Sequence, residues 1–324
     1  MADILAIILE SIHSFVGSYG WAIIIFTLLI KLALLPLEYK SRKGMKQMER
    51  VQPQIAALQQ KYGNDKEKLN QKTMELYQKE HISPMSGCLP MLISMVILFI
   101  MFSAMRQVAN AQMAQQTLNY LADGVFQNEG FLWIRNLWMP DSPFAAAMPT
   151  MSQLSVIPAE SWSQAYAALS ADQLAALPAQ IIFNFSESGC AATVEAISAY
   201  MTTLPDYVAA IKTVPQLTGI NLWITKLSVY IQGNGWLVLP ILSCLTQLLM
   251  TKITQNKNAQ AAANQNNKAM TWMMPLFSLF ICFGYNASFA LYWVVSNCYS
   301  IVQTIVLNRI LNQKDKGMPA KVAA

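Results

Sequence analysis

The amino-acid sequence predicts an all-α polytopic membrane protein of five spans, and three observations predict it. Hydrophobic residues make up 54% of the 324 and charged residues only 12%, about half the share usual in a soluble domain. Uncharged apolar runs long enough to cross a hydrocarbon layer ~30 Å thick recur along the chain. Basic residues crowd into some of the connections between those runs and avoid others. Soluble catalytic classes are set aside at this point.

The elements follow in order. Residues 1–18 predict an amphipathic helix on the membrane surface: Asp3, Glu10 and His13 interrupt the apolar stretch from Ile4 to Phe15. The same stretch lacks the basic start and small-residue cleavage site of a signal peptide. Residues 19–39 predict the first span, WAIIIFTLLIKLALLPLEY from Trp21 onward. Residues 40–87 predict a basic helical hairpin. Met45, Met48, Val51, Ile55, Leu58 and Tyr62 recur every three or four residues as one helical stripe, with Pro53 expected to bend it. Gly63 and Asn64 break that stripe. Asn64 with Glu67 resembles an N-terminal cap, and Leu69, Thr73, Leu76 and Tyr77 begin a second stripe.

Residues 88–106 predict the second span and 107–235 a long connection. Within it, pieces such as SADQLAALPAQ and EAISAYMTTLPDYVAAIK in the segment from about 144 to 223 read as short helices separated by proline. Residues 236–254 predict the third span and 255–269 a loop. The apolar run from Met270 to Leu307 is too long for one crossing. GYNAS at Gly284 to Ser288 divides it, so residues 270–311 hold the fourth and fifth spans and 312–324 a tail. Pro36, Pro90, Pro240 and Pro275 fall inside spans, where neighbouring helices or water satisfy the freed carbonyls.

Charge sets the orientation. Residues 40–87 carry ten basic residues (Lys40, Arg42, Lys43, Lys46, Arg50, Lys61, Lys66, Lys68, Lys72 and Lys79), whereas 107–235 hold only Arg135, Lys212 and Lys226 against eight acids. The hairpin is therefore expected in the cytoplasm, the long connection outside, and the chain N-out and C-in.

Lys31 stands out within this pattern. Ten uncharged residues precede it from Trp21, and six follow before Glu38, so it lies inside the hydrocarbon layer at a cost of ~2.5 to 3.5 kcal/mol. It needs a partner, water or a task. A lysine snorkelling to the near interface is the plain alternative. Thr27, four residues earlier, shares its helical face. No G-x-S-x-G or P-loop is present, the two histidines His13 and His81 fall on opposite sides, and the five cysteines form no metal or disulfide pattern. The expectation is a protein that is not an enzyme and uses no metal or cofactor. Methionines such as Met91, Met95, Met101 and Met105 read either as core filler or as a pliable surface for varied apolar partners.

Two separated blocks carry a resemblance. LPLEYKSRKGMKQM after the first span with HISPMSGCLPM at the second, and MMPLFSLFICFGYNASFALYWVVSNCYSIVQ near the end, are similar to the YidC family of membrane protein insertases. The resemblance implies a five-span core around a hydrophilic groove, open to the cytoplasm and to lipid, that passes nascent membrane proteins into the bilayer of a bacterial cell. By position, Lys31 falls where the family usually has arginine, Thr27 at a polar groove position, and Trp293 at an aromatic position that meets substrate. Gln247, Asn297 and Gln303 are further polar candidates, with helix-to-helix hydrogen bonding as their alternative role. Lysine lacks the planar fork of arginine, which favours a general attractant for acidic residues over a shaped carboxylate receptor. The expected partners are nascent chains and the lipid bilayer, with the translating ribosome drawn to the basic hairpin and a Sec-type translocon implied by the family; no DNA partner is expected. A channel or transporter subunit with Lys31 selecting anions is the competing reading.

Overall fold

The structure is a computed structural model that describes residues 2–80, 89–221, 226–254 and 266–316. The start of the HISPMSGCLPM motif, most of the loop at 255–269 and the end of the tail therefore lie outside the described residues, as do His81, Met85 and Cys88.

The described residues are mostly helical. Four long or apolar elements open the chain: α1 (Ala2–Val16), α2 (Tyr19–Tyr62), α3 (Lys66–Lys79) and α4 (Leu89–Asp123). Five short helices follow, α5 (Met151–Leu154), α6 (Ala159–Ala167), α7 (Ala171–Ala176), α8 (Cys190–Met201) and α9 (Pro205–Ala210). Three more close it, α10 (Val238–Thr254), α11 (Asn266–Gly284) and α12 (Ala287–Lys316). Ile220–Asn221 pair antiparallel with Lys226–Leu227, and isolated antiparallel bridges join Phe131 to Ile134, Ala146 to Gly233 and Thr213 to Tyr230. Among the described residues, three helices are long and apolar enough to cross a membrane, within Tyr19–Tyr62, Met95–Asp123 and Ala287–Leu311, while Val238–Thr254 and Trp272–Gly284 are shorter apolar helices.

Two compact units divide the chain. The first comprises Met1–Phe26, Ile100–Ser243 and Ser278–Val294. Its core holds Phe26, Met101, Met105, Leu118, Trp138, Trp162, Tyr207 and Phe289, all with under 2% of their surface exposed. In α1, Ala6 and Leu9 are buried, while the apolar Ile4, Ile7 and Phe15 are exposed. Tyr19 secures it to the start of α2, accepting from Gln112 Nε2 at 2.6 Å, donating to Glu10 at 2.7 Å and stacking on His13.

The α4 helix continues well past the expected end of the second span at residue 106. The reason is a buried stripe (Met105, Ala109, Met113, Thr117 and Leu121) that repeats every four residues beyond the apolar run. Among the short helices, Trp162 stacks on Phe185, Val194, Ile197 and Met201 of α8 are buried, and Tyr207 donates to the Pro149 carbonyl at 3.1 Å. Ser170 and Gln173 form a reciprocal capping box at the start of α7.

A polar hub lies in the connection after α4. Asn234 Nδ2 donates to the carbonyls of Asn136, Met139 and Pro140, and Asn136 N donates back to Asn234 Oδ1. Buried Asp141 accepts from Trp236 N at 2.8 Å, Leu239 N at 2.7 Å and Trp133 Nε1 at 3.2 Å. It thereby supplies an acceptor to an amide in the first turn of α10. The Met139 and Leu137 carbonyls accept from Ala287 N and Ser288 N at the first turn of α12, where Asn286 Oδ1 also accepts from Phe289 N. The GYNAS turn thus ends in a side-chain cap.

The second unit comprises Thr27–Phe99, Cys244–Phe277 and Val295–Ala324. Here α2 runs without interruption through the expected boundary at 39/40, with Pro36 and Pro53 both inside the helix. The α3 helix packs back on it, Leu76 and Tyr77 lying against buried Val51 and Ile55. Its N-cap is Asp65 and not Asn64: the Asp65 carboxylate accepts from Lys68 N at 3.0 Å. The tight turn takes Gly63 and Asn64, which leaves Asp65 as the last residue before the helix.

Candidate functional site

One face of α2 in the second unit carries Thr27, Lys31, Glu38 and Arg42, spaced four, seven and four residues apart. Those spacings return to the same side of a helix, so a polar stripe runs from the apolar part of α2 into its basic part. On α12, Asn297, Ser300, Gln303 and Thr304 recur at three- and four-residue steps. The stripes meet. Lys31 Nζ donates to Ser300 Oγ at 3.0 Å and lies 3.5 Å from Glu38 Oε1. The Lys31 side chain is 17% exposed and that of Glu38 32%. Arg42 donates from Nη2 to Thr304 Oγ1, and Thr304 sits beside Met250 of α10.

A hydroxyl from a helix far along the sequence fixes the Lys31 ammonium, and a carboxylate two turns on partly balances its charge. Such pairing lowers the cost of holding a cation among apolar side chains, which an isolated lysine bears in full.

The remaining sequence candidates have these places. Thr27 is fully buried. Asn297 Nδ2 donates to Thr246 Oγ1 at 3.2 Å and so joins α12 to α10. Gln247 is half-buried, one residue from Thr246, and its carbonyl accepts from Thr251 Oγ1. Gln303 is 8% exposed, and its Nε2 has no partner among the described residues. Trp293 belongs to the first unit, in an aromatic cluster with Phe289, which in turn meets Phe102 and Tyr285. Its indole Nε1 is buried and likewise has no partner among the described residues. The structure thus brings Lys31 to Ser300 and Asn297 to Thr246, and gives Trp293 a separate aromatic setting.

Glu38, Arg42, Ser300 and Thr304 were not singled out from the sequence. The signal for Glu38 was available: an acid seven residues beyond a buried base lies on the same face, two turns away. Ser300 and Thr304 carried no comparable signal, since small hydroxyl residues are common in membrane helices and gain meaning only from what they face.

Residues 11–194 and 204–315 match the family model described as 60Kd inner membrane protein. A protein of Fusobacterium nucleatum is 46% identical over 106 residues, 33% of this chain and 52% of that protein. One of Clostridium perfringens is 38% identical over 155 residues, 44% of this chain and 58% of its own length. One of Chlorobaculum tepidum is 26% identical over 312 residues, 96% of this chain but 36% of its own. Each of the three is named membrane protein insertase YidC. The chain spans about half the length of the first two.

Proposed function

Because this chain belongs to the 60Kd inner membrane protein family, the YidC family of the bacterial membrane, we propose that it assists nascent membrane proteins into the bilayer. In this reading five helices, α2, α4, α10, α11 and α12, cross the membrane and enclose a hydrophilic groove. Its polar wall carries Thr27, Lys31, Gln247, Asn297 and Gln303, and Trp293, one turn before Asn297 on α12, extends the lining. The α2–α3 hairpin lies in the cytoplasm and receives the emerging segment. The N-terminus and residues 107–235 lie outside, and the C-terminus lies inside. Ribosomes and a Sec-type translocon are its proposed assembly partners.

The mechanism is facilitated partition. The polar flank of a client enters the groove while its apolar part leaves sideways into lipid. Burial of ~20 apolar residues drives the step, and the membrane potential adds ~2.3 kcal/mol per charge per 100 mV when its sign is favourable. No nucleotide or metal is required, and the protein folds clients by the same shielding, as a chaperone.

The observation that carries this reading is Lys31, a cation inside an apolar helix, held by Ser300 at 3.0 Å and only one-sixth exposed. A client carboxylate beside it recovers part of its own desolvation cost. The test is insertion into proteoliposomes of the purified protein. Lys31→Arg should be nearly silent, and Lys31→Ala should slow clients with acidic translocated flanks by roughly fivefold, the worth of ~1 kcal/mol in a partly wet ion pair. Clients with those acids neutralised should be spared. Equal insertion of acidic clients by Lys31→Ala and parent would overturn the groove-charge mechanism. Ion flux without any client would favour an anion channel instead.

A further inference from the structure

We propose that Glu38 is a built-in competitor for Lys31, a specificity-determining carboxylate that occupies the seat of a client's acidic residue until one arrives. The inference rests on the reading of Lys31 as that seat. Its grounds are geometric. A strong charge-assisted N–H to carboxylate bond is ~2.7 to 2.9 Å long, whereas Lys31 Nζ stands 3.5 Å from Glu38 Oε1. The closer partner is the neutral Ser300 hydroxyl at 3.0 Å. The ammonium is thus positioned by an uncharged group and only loosely held by the carboxylate.

Reach points the same way. Glu38 lies seven residues beyond Lys31 on one helix, a rise of ~10 Å, so the two long side chains must extend towards each other along the helix surface. Holding both extended costs rotamer freedom. Glu38 is also the more accessible partner, 32% exposed against 17%. When the contact breaks, the carboxylate turns to water and the lysine keeps Ser300.

A client carboxylate approaching from the groove does not need that extended geometry. It displaces Glu38 and leaves the charge count around Lys31 unchanged, so exchange proceeds without a bare buried cation at any stage. A neutral polar flank makes no such exchange. Glu38 therefore sets a threshold that neutral segments do not cross, and keeps acidic segments from being trapped.

The test is binding and not insertion. A fluorescent leucine-rich peptide of ~20 residues with a single central Asp, and its Asn twin, are titrated onto the full chain in detergent. Glu38→Gln should bind the Asp peptide roughly two- to fivefold more tightly, the factor that a partly exposed ion pair represents. The Asn peptide should bind as to the parent, which also reports that the variant is folded. In Lys31→Gln the further change Glu38→Gln should have no effect on the Asp peptide. Equal gains for both peptides, no gain for either, or a gain that persists without Lys31 would each overturn the proposal. If the binding pattern holds but no variant inserts clients in proteoliposomes, the insertase reading fails while Glu38 remains the competitor.

Discussion

At the scale of single residues, buried Asp141 does more than its position in a connecting loop implies. Its two oxygens accept from Trp236 N, Leu239 N and Trp133 Nε1, so Asp141→Ala leaves buried donors without partners and removes a cap. A loss of ~2 to 4 kcal/mol is expected, read as earlier thermal unfolding in detergent, with Asp141→Asn intermediate. Gly235→Ala should be worse still. A Cβ there would lie 2.0 Å from Asp141 Oδ1, so the variant should fail to accumulate. Neither residue was legible in the sequence, because an Asp in WMPDSP is first read as a turn former and two of its three partners lie 95 and 98 residues away. Lys31 was legible, since a charge in an apolar run violates a strong rule. What it pairs with was not, apart from the seven-residue echo of Glu38.

Elements were easier to foresee than their ends. Of the two stripes read in residues 40–87, Val51 and Ile55 of the first lie against Leu76 and Tyr77 of the second, because helical periodicity is a local property of sequence. Boundaries were not local: α2 runs through Tyr39 and α4 through Met105, since leaving an apolar environment does not oblige a helix to stop. Ile55→Asp should separate α3 from α2 by placing a charge in the small contact. Faster proteolysis between Tyr62 and Lys66, with the spans intact, is the expected readout. Among the short helices, burial pushes the Tyr207 phenol up to about 12, with the nearby Tyr230 and Tyr120 phenols adding to it. The folded state favours the neutral phenol. Its contribution is therefore whole below the ordinary pKa of ~10 and lost as pH rises towards 12. Near-ultraviolet circular dichroism of the full chain should show an alkaline loss that Tyr207→Phe shifts or flattens, at ~1 kcal/mol for the missing hydrogen bond to Pro149.

For the whole molecule, composition alone separated a membrane protein from a soluble one, and alternating basic connections supplied an orientation that remains a proposal. A cysteine at Gly63 should resist an impermeant reagent in intact cells lacking Cys190, whereas one at Asp172 should label; labelling at Gly63 would invert the orientation. Long connections are thermodynamically cheap to alter, so replacing residues 150–215 with a Gly/Ser linker should leave insertion mostly intact. Loss of insertion at normal protein level would make that region part of the machine. The polar hub also has a bearing on the protein's own biogenesis. Asp141 leaves the ribosome 98 residues before Leu239, and the Met139 carbonyl is made earlier still relative to Ala287. Acceptors for the starts of α10 and α12 are therefore synthesised before those helices exist, so the connection acts as a template that each later helix meets on arrival, and the order of translation becomes an order of assembly.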